Sequence, residues 1–483
     1  MRTDFVPGSL RALLTEDAGL GRSYLVGGCV RDALLGRPVK DFDVEVYGLG
    51  YRDLARVLGR WGRVDLVGRS FGVAKLTLPD GAQHDFSLPR RDSKVGPGHR
   101  GFDVEVAPDI DPREASARRD FTINSLMLDP RTGEVLDFHG GIEDLRAGRL
   151  RHTSEAFVED PLRVLRGMQF ASRFGLRADP ATIDLCRRMA PAQRELPVER
   201  VREEWWKWAT CGGRPSAGLG LALEAGWLDV HPELTGMQGV EQDPEWHPEG
   251  DVWRHTLHVV DAMARQAGWA GADERTRGVL MFAALLHDAG KASCTRREWR
   301  KGRERIVSPG HEGAGVGLAD AFLRRLGMPN EVLARVPPLV ANHMAHLEEP
   351  SARAIRRLAL RLAPARIDEL CEVMTADASG RPPRPAGEPP AVRGILAKAR
   401  ELSLEAAVPK PWVLGRHLLA RGMVPGPAFK GILERAFQAQ LDGVFGDEPG
   451  GLKWLDENLP GPSDAAPGDA RAGHPPPADT PTA

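Results

Sequence analysis

Along KDFDVEV (residues 40–46) acidic and apolar side chains alternate, so an extended chain puts Asp41 and Asp43 on one face and Phe42, Val44 and Val46 on the other. The pattern demands a strand with one buried face. Two adjacent carboxylates repel each other unless a cation lies between them. Mg²⁺, a hard ion that takes oxygen ligands and leaves room for substrate phosphates, fits such a strand edge. Asp85 in HDFSLP alternates in the same way on a later strand and can complete the seat. A solvated strand face is the commoner fate of an isolated pair of this kind, so the surrounding segments have to decide.

YLVGGCVRDALLG (24–36) reads as a strand ending at Val26, a Gly27-Gly28 turn and a helix whose first amides point outward. Glycines let backbone approach a phosphate closely, the helix N-terminus favours negative charge, and Arg31 adds a donor fork. An ordinary strand-to-helix turn has the same outline. In RRDFTINSL (118–126), Arg119 suits a triphosphate, Asp120 can accept a ribose hydroxyl, and Asn124 can bond backbone or ribose. A local salt-bridged turn is the plainer alternative. EDPLRVLR (159–166) opens a helix at Pro161, and Arg163, Arg166, Gln169 and Arg173 recur on a polar stripe opposite Leu162, Leu165 and Met168. Asp160 and Arg163 can therefore converge on one base edge. Adenine and cytosine each present an amino donor beside a ring-nitrogen acceptor, which a carboxylate and a guanidinium complement; guanine and uracil present the reverse pair. Alternatively Asp160 serves only as a helix cap.

The chain has room for several domains: it runs to 483 residues, 42% of them hydrophobic. Residues 22–145 mix short β-branched runs (SYLV, FDVEV, VAKLTL, HDFSL) with glycine turns and one short helix, an α/β unit. From about 150 to 245 apolar residues recur at three- and four-residue spacing, as in RVREEWWKWA, and a second helical region spans 246–378. SGRPPRPAGEPP (379–390) opens a linker over 379–395. A helical unit over 396–458 follows, and 459–483 are too poor in large apolar residues to pack and are expected to be disordered. Five cysteines (Cys29, Cys186, Cys211, Cys294, Cys371) form no CxxC pair, and no apolar run is long enough to cross a bilayer; a soluble protein of a reducing cytoplasm is expected. The net charge of -2 requires any nucleic-acid binding to come from local arginine-rich faces.

With GGCVRD (27–32), KDFD (40–43), RRDFTIN (118–124), DFHGGIEDL (137–145), EDPLR (159–163) and ERVREE (199–204) in order and at the right spacing, the chain resembles the class II tRNA nucleotidyltransferase and poly(A) polymerase family. The resemblance implies an α+β multidomain protein. Its parts are a polymerase β-like head over 1–145 with a small, five-stranded mixed sheet, an all-α neck and body over 146–245 that selects nucleotide and binds RNA, an all-α HD domain and the short helical C-terminal unit. It implies Asp41 and Asp43 as Mg²⁺ ligands, with Asp85 and Arg119 beside them in catalysis, and Gly28, Arg31, Arg119, Asp160, Arg163 and Arg166 against the incoming ATP or CTP; Gly27, Asp120 and Asn124 join that nucleotide site. Gln169 departs from relatives that carry a further arginine there. The implied reaction is in-line attack of an RNA 3′-hydroxyl on the nucleotide α-phosphate with loss of pyrophosphate.

HPEGDVWRHTLHVVD (247–261), FAALLHDAGK (282–291), PGHEG (309–313), VANHM (340–344) and TADASGR (375–381) together resemble the HD phosphohydrolase pattern, in which any single histidine would be an ordinary packing residue. The resemblance implies a divalent metal (Mn, Ni, Mg or similar) held by His255, His287, Asp288 and Asp377, with His311 and His343 enlarging the site to two metals. Its implied substrates are 2′,3′-cyclic phosphates and phosphates at RNA ends. The basic TRREWRKGRERIVS between Lys291 and His311 offers an RNA-binding alternative. Arg353, Arg356, Arg357 and Arg361 form a helical stripe that is either an RNA contact or a solvated face. The expected function is CCA addition to tRNA from CTP and ATP. The competing readings are A-only addition, CC-only addition, poly(A) synthesis, and a hydrolase or RNA-binding protein with an inactive head. Residues 90–117 stand where CC-only relatives have a shortened loop and so argue against that reading, and intact Asp41 and Asp43 argue against an inactive head.

Overall fold

A computed structural model describes residues 1–66, 73–94, 102–345 and 350–459, with no side chains described for 91–105. The expected disordered tail therefore lies outside the described residues, as does the centre of the 90–117 loop. The described residues divide into two units, one of residues 1–348 and 362–393, the other of 349–361 and 394 onward.

Among the described residues nine strands form in the head: β1 (Ser23–Val26), β2 (Asp43–Val46), β3 (Arg63–Asp65), β4 (Val73–Thr77), β5 (Gln83–Ser87), β6 (Arg90–Lys94), β7 (Phe102–Val106), β8 (Met127–Leu128) and β9 (Val135–Leu136). Seven build one sheet in the order β3-β4-β5-β2-β1-β8-β9, while β6 and β7 pair with each other. The implied five-stranded sheet is thus extended, chiefly by two-residue strands at the β9 edge. Within the seven-stranded sheet only β2 and β5 run parallel. The DFDV alternation behaves as expected: Phe42, Val44 and Val46 are buried with Leu25, Leu76 and Phe86, and Asp41 and Asp43 are exposed. The single short helix expected over residues 22–145 becomes four among the described residues: Gly28–Leu34, Tyr51–Leu58, Pro112–Ala117 and Gly141–Arg146. Each has at most 8 residues, too few for a helical period to show against the neighbouring strands.

The helix Leu162–Phe174 packs against Val198–Cys211 and Pro215–Glu224. Gln169, assigned to the polar stripe, is buried instead, because helices flank Leu162–Phe174 on more than the apolar side. Nearby, His231 is buried edge-on to Trp205 and Phe322, with ring centroids 5.4 and 5.1 Å away, and neither ring nitrogen has a partner. Burial, reinforced by Arg325, holds its pKa at about 4. The unfolded chain takes up a proton near pH 6.5 that the folded chain refuses until about pH 4. Stability is therefore full above pH 6.5 and falls by on the order of 3 kcal/mol toward pH 4. His231→Phe should flatten this acid limb in melts between pH 7 and 4.5; an unchanged limb would assign it to other groups.

In the next helical domain Glu274–Leu286 is apolar almost all round and occupies the centre, packed by Val252–Arg265, Asn330–Asn342 and Ile367–Ser379. The all-α expectation needs one correction here. Arg296–Arg300 and Arg303–Val307 form an antiparallel hairpin across Lys301 and Gly302, both at positive φ, the geometry of a tight two-residue turn. Charge on both faces hides its strand period. It is tied down by ion pairs from Arg297 to Glu241, Arg305 to Asp243, and Arg303 and Arg305 to Glu245.

The expected linker is also shorter than 379–395, since the helix Pro390–Glu401 begins within it: proline at a first helical position lacks only a donor that would be unpaired anyway. In the second unit Val413, Leu418, Ile432, Ala436, Phe445 and Leu455 make a core, and Arg353 and Arg357 of the expected basic stripe pair with Asp442 at 2.9 and 2.8 Å. Among the described residues no helix is long and apolar enough to cross a membrane.

Candidate functional site

Strand β1 ends at Val26, and the φ of 73° at Gly27 turns the chain into the helix Gly28–Leu34. A Cβ at Gly27 would also press to 3.0 Å from Nη1 of Arg119, so glycine serves both the turn and the space beside that guanidinium. The turn opens on a cavity of about 470 Å³ that brings together Gly27, Gly28, Arg31, Asp43, Arg119, Asp120, Asn124, Asp160, Arg163 and Arg166, and adds Arg118, Leu162, Phe170 and Arg200. Six guanidiniums against three carboxylates make this wall cationic, the charge a nucleoside triphosphate requires.

Asp43 lines the cavity and lies opposite Asp85 in the parallel β2–β5 register; Asp41 and Asp85 are not among its lining residues. Partial desolvation at the foot of the cavity, with Asp85 and Asp41 adding repulsion and Arg119 opposing, holds the Asp43 carboxyl above its usual range. Asp41 and Asp43, at alternate positions leading into β2, offer the oxygen donors a hard divalent cation takes, while Asp85 on the neighbouring β5 is paired with Lys75 at 3.7 Å. Behind them Glu45, fully buried, continues the acidic face of β2; it lies 3.4 Å from Arg118 Nη2 and 3.5 Å from Arg119 Nη2 and accepts a hydrogen bond from the Tyr47 hydroxyl at 3.2 Å. Glu45 thereby holds two arginines of the cavity wall.

The remaining guanidiniums are held as firmly. Arg31 lies over the rings of Phe174 (4.5 Å) and Phe170 (5.2 Å) and donates to Asp32 and Asn124. Asp120 accepts from Arg166 Nε at 2.8 Å, Asn124 Nδ2 at 3.0 Å and its neighbour's amide at 2.8 Å. Burial alone would raise its carboxyl, yet Arg166 and Asn124 hold it below the usual range. Asp120 and Asn124 therefore orient Arg166 and Arg31. Asp160 caps the following helix, accepting from the Leu162 amide at 3.1 Å, and also pairs with Arg200 at 2.8 Å. Arg163 donates to the carbonyls of Ala156 (2.6 Å) and Arg118 (2.7 Å). Capping and cavity lining are thus combined in Asp160.

A second site lies where Glu274–Leu286 ends in His287 and Asp288, both buried. His287, His311 and His343 each place Nδ1 2.7–2.8 Å from the carbonyl of the residue three earlier, and His255 places Nδ1 2.7 Å from Glu249. Those acceptors put the proton on Nδ1 and leave Nε2 as a lone pair. The four Nε2 atoms then face one another in two pairs, His255 with His287 and His311 with His343, each at 3.3 Å. Opposed lone pairs suit a shared cation. Asp288 bridges the pairs, with Oδ2 3.2 Å from His287 Nε2 and Oδ1 3.2 Å from His311 Nε2, and Asp377 Oδ1 is 3.0 Å from His255 Nε2. The donor set fits two borderline divalent ions sharing Asp288. Burial opposes ionisation of both carboxylates, but His287 and Lys291 hold Asp288, and Arg381 and His255 hold Asp377, well below the usual range.

All six residues expected at this site converge. Sequence reading assigned no role to Glu45, Arg118 or Arg200 in the first site, nor to Glu249, Lys291 or Arg381 in the second. Glu45 and Arg200 did carry a signal, the first by extending the β2 alternation and the second by lying in ERVREE.

The family model for the poly A polymerase head domain matches residues 23–151, and that for the HD domain matches 252–380. The chain is 33% identical over 398 residues to the Multifunctional CCA protein of Nitrosospira multiformis, covering 80% of this chain and 90% of the relative. It is 38% identical over 371 residues to the protein of the same description in Laribacter hongkongensis, covering 75% and 85%. In fold it is similar to the Bacillus stearothermophilus CCA-adding enzyme in complex with CTP, with a TM-score of 0.61, 23% identity and 90% and 92% of the two chains covered. The Thermotoga maritima CCA-adding enzyme complexed with tRNA gives 0.58, 19%, and 95% and 97%.

Proposed function

The chain belongs to the multifunctional CCA protein family, and on that premise we propose that it adds CMP and AMP from CTP and ATP to tRNA 3′ ends, and that its HD cavity hydrolyses phosphates at RNA ends. One observation carries the reading: the Asp43 carboxylate opens into the same cavity as the Gly27-Gly28 turn, the arginines and Asp160.

Asp41, Asp43 and Asp85 would hold Mg²⁺, which supplies charge neutralisation where the attacking and leaving oxygens meet the α-phosphate. The chain's own residues do the rest. Arg31, Arg119 and Arg166 bind the triphosphate, each fixed by its own partner, and Asp160 with Arg163 offers the acceptor and donor that match adenine and cytosine. Selection by protein groups needs no template. At the HD cavity the four histidines with Asp288 and Asp377 would hold divalent metal, which supplies an activated water, while Lys291 and Arg381 favour an anionic substrate.

Incubation with Mg²⁺, CTP, ATP and a tRNA lacking its last three residues should yield a product three nucleotides longer. Absence of any extension would overturn the transferase reading. Loss of a terminal 2′,3′-cyclic phosphate from an RNA in the presence of Mn²⁺ or Ni²⁺ tests the HD reading, and persistence of that cyclic phosphate with every metal would overturn it.

A further inference from the structure

Trp246 is half exposed, and it lines the HD cavity of about 490 Å³ together with Asp288, Lys291, Asp377 and Arg381. The Arg384 guanidinium lies over its ring, 5.4 Å from the centroid, and Arg384 in turn donates to the Glu245 carbonyl. The segment carrying the indole is anchored by the ion pairs from Arg297, Arg303 and Arg305 of the hairpin to Glu241, Asp243 and Glu245. A large aromatic plane is therefore braced by a cation at the mouth of a cavity. Deeper in, Lys291 Nζ lies 2.7 Å from Asp288 and Arg381 Nη2 lies 2.6 Å from Asp377. An aromatic surface above and cations beside metal-type ligands below complement one kind of molecule, a phosphate carried on a nucleoside. Neither a bare phosphate nor an aliphatic phosphoester would use the indole.

We propose that Trp246 is the base platform of the HD cavity, stacking the terminal nucleoside of an RNA 3′ end so that its phosphate reaches the histidines. The proposal rests on the phosphoesterase reading of that cavity. Every base has a π-face, so the platform accepts all four, and a stacked base is worth about a ten- to hundredfold in affinity.

The test uses the full chain with Mn²⁺, comparing adenosine 2′,3′-cyclic phosphate with glycerol 1,2-cyclic phosphate, which has no base. Trp246→Ala should raise KM for the nucleotide about ten- to a hundredfold with kcat nearly unchanged, and leave glycerol cyclic phosphate hydrolysis at the wild-type rate. Trp246→Phe should recover most of the loss. An unchanged KM in Trp246→Ala, or equal losses on both substrates, would overturn the platform. Calorimetric binding of adenosine 2′-monophosphate, run in an Arg166→Ala background that weakens nucleotide binding at the head cavity, separates the two readings. If the wild type cleaves neither substrate but Trp246→Ala weakens this binding by the same factor, the platform stands and the hydrolase reading falls; unchanged binding removes the platform.

Discussion

Replacing Asp43 with alanine should slow nucleotide addition by about a thousandfold or more while the HD cavity retains its wild-type rate. The size follows from what the carboxylate does. Asp43 is the member of the acidic edge that lines the nucleotide cavity, and withdrawing metal-borne charge neutralisation from a phosphoryl-type transition state forfeits several kcal/mol, about tenfold in rate for every 1.4 kcal/mol. Folding should be spared, because Asp43 faces Asp85 and Asp41 and its removal relieves repulsion. Melting temperature should therefore hold or rise slightly. Single-turnover AMP incorporation into a CC-ended tRNA reads the effect, and a rate within tenfold of wild type would refute the metal seat.

Asp160→Ala should relax base choice. In the wild type UTP and GTP would set a carbonyl against the Asp160 carboxylate and an N–H against the Arg163 guanidinium, leaving buried polar groups unpaired. Without the carboxylate that penalty shrinks, and the ratio of kcat/KM for CTP over UTP should fall by on the order of a hundredfold. The same change removes the cap on the Leu162 amide, costing about 1 kcal/mol of stability, and strips Arg200 of its partner. The two effects separate cleanly, since selectivity reads the base edge and melting reads the cap. A variant that melts earlier yet discriminates as before would leave Asp160 a cap and no more. Arg200→Ala, which frees Asp160 without deleting it, should relax selectivity to a smaller degree.

Some of this was legible along the chain because its physics is local. The alternation at KDFDVEV states a face in a few residues, the Gly27-Gly28 turn states a strand-to-helix junction, and an apolar run ending in His287-Asp288 states that polar groups are carried to the end of a buried helix. Glu45 could be read as the next step of the alternation, but not as a buried anchor, since Arg118 and Arg119 meet it from another segment. Arg200 reaches Asp160 only through helix packing. The facing Nε2 lone pairs were equally out of reach: spacing can suggest ligands, whereas the carbonyls that fix each tautomer belong to the folded backbone. The hairpin at 296–307 escaped because charge occupies both faces and its ion pairs lie with residues 241–245.

The claim that one protein-built selector chooses both bases is tested most directly with three tRNAs, ending before CCA, after its first C and after CC, each given CTP, ATP, GTP or UTP alone with Mg²⁺. The account predicts CMP on the first two, AMP on the third, and neither GMP nor UMP on any. AMP alone, added only to the CC-ended tRNA, or incorporation without regard to base, would contradict it.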